Sequence, residues 1–398
     1  MKYIVLILDG AAGRPIAWLN GRTCLEAAFT PNLDRLAPKS TVGLVCNVPS
    51  GMEPSSACAC LSILGYDPRV YYKGRGAIEA ISVGVPLDEG DVVFRCNLVS
   101  VKDGKMSSYA AGYIPTEEAS ELVSALNEDL GNDEIRFYTG TSYRHLLKLK
   151  NHPETLRAVC TPPHDIPEKE IAGFLPSGEG SALLRDLMFR SREILENHPV
   201  NRLRARRGEP EANMIWPFWG SEKLPPMPSF EQLYGFRAAL TSGVDLLKGL
   251  AELVGIKVLE IEGVTDNLDN DFSAQAKGAI ESLDDNDMVI IHIEAPDEAG
   301  HSGEALKKIR AIELIDQLVL GEILSFKGPR RLFVLPDHPT PVEVRTHTVD
   351  PVPFMLNGPG FDPNGAAKFN EDEARKTGLF LKEGYKIMDY FLRGKLWD

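Results

Sequence analysis

The sequence predicts an α/β protein: a doubly wound, mostly parallel sheet with helices on both faces, and a smaller inserted α+β domain. Apolar runs of strand length alternate with segments of helical spacing near both ends of the 398-residue chain. Between these ends, shorter alternating strands and proline-rich segments prevail. We therefore expect a core domain from residues 1–80 and 211–398, and an inserted domain from residues 81–210.

Composition and charge exclude several function classes. The formal net charge of −14 opposes binding to nucleic acid or to an anionic membrane surface. No apolar stretch approaches the roughly 20 residues that span a bilayer. Residues 1–8 are too short for a signal peptide and continue into Asp9. The six scattered cysteines match neither a zinc site nor a secreted disulfide scaffold, so we expect free thiols and a cytoplasmic protein.

The first apolar run, residues 2–8, predicts a buried parallel strand that ends at Asp9 and Gly10. An acid at the end of such a strand is well placed to bind a metal, although an Asp-Gly turn explains it equally well. Residues 31–36 predict a short helix with Pro31 in its first turn, and residues 41–46 predict a second strand.

A loop rich in glycine and proline then leads into a short helix of small residues. Such a junction directs backbone N–H groups and the positive end of the helix towards an anion. Ser55 or Ser56 at this point is a candidate nucleophile, or only an N-cap. Further on, Arg75 lies between two glycines, which permit close approach of the backbone.

The rest of the chain, through the insert and beyond it, is predicted to form further helices and strands. We predict insert helices at residues 117–130 and 181–196, and a solvated hinge at the basic residues 202–207. Beyond the insert, we predict helices at residues 238–254, 274–283 and 304–325, and strands at 257–261, 288–293 and 331–335.

Five potential metal ligands lie within about fifty residues: Asp297, His301, Asp337, His338 and His347. They follow predicted strands, and open α/β sheets bind ligands beyond the carboxyl ends of their strands. Carboxylate and imidazole ligands suit Mn²⁺, Zn²⁺ or Fe, and the lack of thiolates argues against a closed structural zinc site. A helical turn would place Asp297 and His301 on one face, although Gly300 between them weakens a helix.

Taken together, several stretches resemble the cofactor-independent (2,3-bisphosphoglycerate-independent) phosphoglycerate mutases of the archaeal type, a branch of the alkaline phosphatase superfamily. The resemblance covers nearly the whole chain. The matching stretches are residues 8–10, 30–36, 61–68, 72–76, 94–97, 142–145, 294–301, 337–341, 345–348 and 350–353. The resemblance implies an alkaline-phosphatase-like core, with the insert as a substrate-binding lid.

The resemblance also implies two divalent metal ions, with Mn²⁺ expected first and Zn²⁺, Mg²⁺, Co²⁺ or Fe as alternatives. By this resemblance, one ion would be held by Asp297, His301 and His347. The other would be held by Asp9, Asp337 and His338, and would also contact the nucleophile Ser56.

The implied reaction is a step of glycolysis and gluconeogenesis. Ser56 would take the phosphoryl group of 3-phosphoglycerate and return it to the other hydroxyl, giving 2-phosphoglycerate. The implied substrate-binding residues are Arg75, Asn97, Arg144 and His145.

The chain departs from the family's usual Pro-Gly-Ser-Asp, because Pro54 is followed here by Ser55, Ser56 and Ala57. Three alternatives stay open: Ser55 as the nucleophile, a phosphatase or phosphotransferase acting on another small phosphoester, and a metal-binding homologue without catalysis. A homo-oligomer is also left open.

Overall fold

The structure is a computed structural model that describes residues 1–394. Its strands are β1 (Lys2–Leu8), β2 (Thr41–Val45), β3 (Asp91–Lys102), β4 (Lys105–Ser108), β5 (Ile135–Tyr138), β6 (Arg144–Lys150), β7 (Met214–Glu222), β8 (Ala238–Thr241), β9 (Lys257–Val258), β10 (Met288–Ile293), β11 (Arg330–Leu335), β12 (Val352–Asn357) and β13 (Phe380–Leu381). Its α-helices are α1 (Cys24–Ala27), α2 (Pro31–Leu36), α3 (Ser56–Ile63), α4 (Pro68–Tyr71), α5 (Arg75–Ser82), α6 (Thr116–Asp129), α7 (Ser181–Leu195), α8 (Pro199–Arg207), α9 (Phe230–Tyr234), α10 (Asp245–Leu253), α11 (Phe272–Glu281), α12 (Ala295–His301), α13 (Ala305–Leu314), α14 (Gly321–Ser325), α15 (Glu371–Lys376) and α16 (Ile387–Arg393).

The chain divides into two compact units. Among the described residues, unit 1 contains Met1–Tyr72 and residues 226–394, and unit 2 contains Lys73–Pro225. The second unit therefore begins before and ends after the insert expected at residues 81–210. Unit 2 begins before residue 81 because α5 packs against β3 and β7, which are both strands of the unit 2 sheet. Residues 395–398 of the expected core lie outside the described residues.

Unit 1 is built on an eight-stranded sheet with the order β13-β2-β12-β11-β1-β10-β8-β9. Seven strands run in one direction, and only β12 is antiparallel to its neighbours β11 and β2. The central strand β1 is buried along Tyr3–Leu8, as its unbroken apolar run predicts for a parallel strand covered on both faces. The expected α/β class with a mostly parallel sheet is confirmed.

Helices cover both faces of this sheet. Ile4, Leu6 and Leu8 point to one face and join a core cluster with residues of α2, α11 and α13. Tyr3 alternates to the other face, where its ring packs edge-on against Phe391 of α16 at 5.8 Å between centroids.

Unit 2 is an α+β unit with a five-stranded antiparallel sheet, in which β3 pairs with β4, β6 and β7, and β5 pairs with β6. The helices α6 and α7 place apolar side chains such as Leu122 and Leu187 in a core shared with these strands. The core of unit 2 is separate from that of unit 1.

Two local predictions are wrong. Residues 238–254 are not one helix but the strand β8 and the helix α10, separated by Ser242, Gly243 and Val244. The basic segment 202–207 is not a hinge but part of α8, where Arg204 is buried and pairs with Glu118 at 2.7 Å. Neither the break after β8 nor the pairing of Arg204 with Glu118 could be read from local sequence spacing.

Among the described residues, none of the helices has the length and apolarity that crossing a membrane requires.

Candidate functional site

The strand directions of unit 1 bring distant residues to one edge of its sheet. Asp9 follows β1, Glu294 follows β10, and Asp337 and His338 follow β11. Because these strands are parallel, their carboxyl ends meet at the same edge. The strand β12 runs the other way, so His347, which precedes it, reaches this edge as well.

Asp297, His301 and His347 converge on one point. His301 Nε2 lies 2.9 Å from His347 Nε2 and 3.1 Å from Asp297 Oδ2, and His347 Nε2 lies 3.6 Å from the same carboxylate oxygen. Each imidazole has its other nitrogen, Nδ1, near a backbone carbonyl: Arg345 O at 3.0 Å and Pro54 O at 3.2 Å. A neutral ring that donates through Nδ1–H presents a bare Nε2 lone pair.

Two lone pairs and a carboxylate oxygen at such distances repel one another unless a cation lies between them. A proton can fill this place in the absence of a metal. Burial lowers the pKa of His301, but the Asp297 carboxylate more than offsets this and raises it to about 9. Burial likewise opposes ionisation of Asp297, yet His347 and His301 hold its pKa well below the usual value. The arrangement favours a bound positive charge.

A second cluster surrounds Ser56. Its Oγ lies 3.2 Å from His338 Nε2, and the same nitrogen is 3.3 Å from Asp337 Oδ2 and 3.6 Å from Asp9 Oδ1. Burial lowers the pKa of His338 to about 4, so the ring is neutral at physiological pH. Burial, and then Asp337 and Asp297, raise the pKa of Asp9 well above its usual value.

The buried oxygens of this cluster fit divalent cations. Asp9 Oδ1, Asp337 Oδ2 and Glu294 Oε2 are buried without a hydrogen-bond partner in the described part of the chain. Buried carboxylates are costly unless they are paired or bind a metal. Asp9, Asp337 and His338 offer ligand atoms within 4.8 Å of one another, and so do Asp297, His338 and His347. Oxygen and imidazole donors suit Mn²⁺, Zn²⁺ or Fe.

Gly10 allows the loop after β1 to approach the predicted metal ligands closely. Its φ is +60°, and a Cβ there would overlap the Asp297 side chain. Its N–H donates to Asp337 Oδ1 at 3.1 Å, and His338 N–H donates to the same oxygen at 2.7 Å. These bonds leave the other Asp337 oxygen, Oδ2, for a cation.

The two adjacent serines have different environments. Ser55 is the N-cap of α3, and its Oγ accepts from Cys58 N–H at 3.3 Å. Ser56 is the first residue of the helix, is 8% exposed and directs its hydroxyl at His338. Of the two candidate nucleophiles, only Ser56 lies against the predicted metal ligands.

Sequence reasoning missed several residues of this site. His292 Nε2 lies 2.7 Å from Asp9 Oδ2, and its Nδ1 lies 3.0 Å from Ser242 Oγ. Thr340 Oγ1 donates to Asp297 Oδ1, and the buried Lys308 Nζ donates to Ala12 O and Thr340 O at 3.0 and 2.7 Å. The one available signal was a histidine inside the apolar run of β10.

Unit 2 contains a cluster of charged residues on its sheet. Arg95 Nη1 donates to both oxygens of Glu79 at 2.7 Å, and Arg95 Nε donates to Asn97 Oδ1 at 3.0 Å. Arg75 Nε donates to Glu79 Oε1 at 2.6 Å. Burial opposes ionisation of Glu79, but Arg95 and Arg75 outweigh it and lower its pKa to about 2. The structure thus brings Arg75 and Asn97 together, with Arg95 and Glu79 as residues that sequence reasoning missed.

Arg144 and His145 are placed differently. Arg144 is exposed and pairs in register with Asn97 across β3 and β6. His145 is the next residue, so strand alternation turns it to the opposite face, and it is buried. Its Nδ1 accepts from Gly140 N–H at 3.2 Å, while its Nε2 has no partner among the described residues. Burial, and then Arg95, lower its pKa to about 3, so the ring is neutral.

Comparisons with known proteins identify the family. The family model described as 2,3-bisphosphoglycerate-independent phosphoglycerate mutase matches residues 37–201. A relative of that name from Methanothrix thermoacetophila is 45% identical, over 99% of this chain and 100% of the relative. A solved structure from Pyrococcus horikoshii has a TM-score of 0.81 at 30% identity, covering 100% of this chain and 98% of that one.

A second solved structure, the cofactor-independent phosphoglycerate mutase of Thermoplasma acidophilum, has a TM-score of 0.64 at 27% identity and covers 99% of both chains. The match therefore extends over both units. The chain belongs to the family of 2,3-bisphosphoglycerate-independent phosphoglycerate mutases and is an enzyme.

Proposed function

We propose that the enzyme interconverts 3-phosphoglycerate and 2-phosphoglycerate through a phosphoserine at Ser56. The observation that carries this proposal is the position of the Ser56 hydroxyl, 3.2 Å from His338 Nε2 and beside carboxylates with free oxygens. Three of the relatives that match over nearly the whole chain are named for this activity.

Ser56 has the surroundings that a phosphoryl acceptor needs. A serine hydroxyl is a weak nucleophile at its free pKa and requires activation. Without a cation, His338 Nε2 accepts a hydrogen bond from this hydroxyl, because its Nδ1 lies 3.3 Å from Thr340 Oγ1, whose own proton goes to Asp297. A cation bound to His338 would use the same lone pair and would supply the activation in place of this hydrogen bond. The first turn of α3 adds backbone N–H groups for a phosphoryl group on Ser56.

We propose two divalent cations as cofactors, with Mn²⁺ as the preferred ion. Asp297, His301 and His347 would hold one, and Asp9, Asp337, His338 and Ser56 would hold the other. When bound, two such ions would supply charge stabilisation for the attacking and leaving oxygens of an in-line displacement. The free oxygens of Asp9 and Asp337 support this assignment.

The cluster of unit 2 supplies groups for the anionic parts of the substrate. Arg75 and Arg144 match phosphate and carboxylate oxygens with their planar, bidentate forks. Asn97 is proposed as a polar partner on the face that it shares with Arg144. His145 was expected to bind the substrate too, but it is buried on the opposite face of the sheet, where its neutral ring carries its proton on Nε2 because Nδ1 accepts from Gly140 N–H. Buried Glu79 holds Arg75 and Arg95 in place.

We propose that the enzyme works in the cytoplasm on this small molecule, binds neither nucleic acid nor membrane, and acts in glycolysis. All six cysteines are free thiols, which suits a reducing compartment, and burial raises the pKa of each of them.

The test follows ³¹P resonances of 3-phosphoglycerate with enzyme and Mn²⁺, without added 2,3-bisphosphoglycerate. The proposal predicts that 2-phosphoglycerate appears while inorganic phosphate stays at background. Release of inorganic phosphate instead would indicate a phosphatase. An unchanged spectrum with tightly bound metal would indicate a homologue that has lost catalysis.

A further inference from the structure

Trp219 has a backbone conformation that bulky residues rarely adopt. Its φ is +49°, and it lies in β7 where the pairing with β3 shifts register between Val93 and Arg95. Such a bulge redirects a side chain, and a strained backbone of this kind is often found at a binding site.

The bulge places the indole ring against the guanidinium of Arg75. Arg75 Cζ lies 4.5 Å from the centre of the Trp219 ring, within cation–π distance. Phe218 and His164 pack on the indole, with ring centroids at 4.6 and 5.4 Å. The ring is therefore a supported platform for the guanidinium.

Apart from the Trp219 ring, Arg75 contacts Glu79, and this ion pair leaves one edge of the guanidinium free. Nε donates to Glu79 Oε1 at 2.6 Å, and the side chain is 26% exposed. Within residues 1–394, neither Nη1 nor Nη2 makes a hydrogen bond. One edge is tied to Glu79, one face lies on Trp219, and the two terminal nitrogens can meet two oxygens of a phosphate or carboxylate.

The backbone on both sides of Arg75 is fitted to this strand. A Cβ on Gly76 would lie 2.9 Å from Trp219 O and 2.6 Å from Val93 O, and one on Gly74 would lie 2.9 Å from Gly220 O. Ala77 N–H donates to Ser221 Oγ at 2.5 Å. The start of α5 is therefore docked directly on the bulge.

We propose that Trp219 is a positioning residue, which holds the Arg75 guanidinium so that its free edge binds the phosphate or carboxylate of the substrate. This inference rests on the proposed function and deepens it. Without the indole, Arg75 is fixed only through Nε, and its terminal nitrogens must be ordered when the substrate binds.

The test compares Trp219→Leu with Trp219→Phe, which keeps an aromatic face. A cation–π contact of about 1.4 kcal/mol corresponds to a tenfold change, so we expect Trp219→Leu to raise KM about tenfold with kcat nearly unchanged. Trp219→Phe should restore most of the affinity. Trp18→Leu, at an exposed position in unit 1, is the matched control and should leave both constants unchanged.

Trp219→Gly separates positioning from a structural role. Glycine accepts the left-handed backbone without strain, so this variant should keep a higher melting temperature than Trp219→Leu while its KM stays raised. A purely structural role predicts that KM follows stability across the variants, and this result would overturn the proposal. An unchanged KM in Trp219→Leu, or no rescue by Trp219→Phe, would overturn it too.

Failure of the proposed function is a different result: the wild-type enzyme would not interconvert the two phosphoglycerates. Binding of inorganic phosphate, measured by calorimetry on the full chain, would then test Trp219 independently. Weaker binding by Trp219→Leu than by Trp18→Leu supports the platform, and equal affinities overturn it.

Discussion

At the scale of single residues, two neighbouring hydroxyls have separate tasks. Ser55 caps α3 through Cys58 N–H, whereas Ser56 faces His338. We expect Ser56→Ala to abolish turnover and leave most metal binding intact, because the six other proposed ligands remain. The measurements are the mutase assay and metal content by elemental analysis.

Ser55→Ala is the matched control for this variant. It should keep turnover but lose about 1 kcal/mol of stability, the typical cost of removing a helix N-cap. Retained turnover in Ser56→Ala would contradict the covalent route, and loss of turnover in Ser55→Ala alone would move the nucleophile to Ser55.

His301 gives a pH dependence with a definite sign. Asp297 raises its pKa to about 9 from the usual 6.5, so the folded metal-free protein holds this proton more tightly than the unfolded chain. The resulting stability is fully present below pH 6.5 and is lost as pH rises through about 9. In chelator, the melting temperature should fall over this interval, and less so in His301→Gln.

A metal ion competes with the same proton. The stabilisation that Mn²⁺ adds should therefore grow with pH over the interval in which the metal-free protein weakens. A metal-induced shift in melting temperature that is independent of pH would contradict the placement of His301 at the cation.

The sequence could predict candidate residues of this site better than it could predict which distant side chains they contact. Asp9 and Asp337 follow recognisable buried strands, so the ends of those strands indicate where they lie. His292 looks like one polar residue inside an apolar strand, and its partner Asp9 is 283 positions away. Spacing carries no information about a contact of that kind, which depends on β1 and β10 being neighbours in the sheet.

At the scale of elements, Lys308 of α13 joins two loops of the site. Its buried Nζ donates to Ala12 O in the loop after β1 and to Thr340 O in the loop after β11. Lys308→Met should destabilise the protein by about 2 kcal/mol, because two buried carbonyls lose a charged donor. It should also weaken metal binding, since Thr340 supports Asp297.

The measurements for Lys308→Met are denaturant unfolding and metal titration, with Lys307→Met on the exposed side of α13 as control. Unfolding free energy and metal affinity equal to those of the control would show that the two loops are held by other contacts.

Element boundaries were predictable where the chain itself marks them. Thr41–Val45 and Met288–Ile293 were found to within one residue, because turn residues or acids follow their apolar runs. The run beginning at Ala238 was not resolved, since an apolar strand leads into an apolar helix through Ser242 and Gly243. Gly243 is required there by the backbone of Thr265, a contact from a distant loop.

At the scale of the whole molecule, we expect bound cations to stabilise the fold, because the chain is acidic and gathers carboxylates at one place. The chain has a net charge of −14, and Asp9, Asp297, Asp337 and Glu294 are gathered at one edge of the unit 1 sheet. Removing the cations should lower the melting temperature and abolish turnover, and added Mn²⁺ should restore both. At a hundredfold excess over Kd, one ion adds about 2.7 kcal/mol to the free energy of unfolding.

Calorimetric scans before and after chelation provide this measurement, with Mg²⁺ and Zn²⁺ titrated beside Mn²⁺. A chelated protein with full activity and an unchanged melting temperature would contradict a metal centre at the edge of the sheet.

The most direct test of the account is to locate the phosphoryl group on the enzyme. Enzyme mixed with 3-phosphoglycerate is quenched in acid within one turnover, digested, and the peptide that contains Ser55 and Ser56 is sequenced by mass spectrometry. The account predicts phosphate on Ser56 and an unmodified Ser55. Rapid turnover with no phosphate on this peptide, or with phosphate on Ser55 alone, would contradict it.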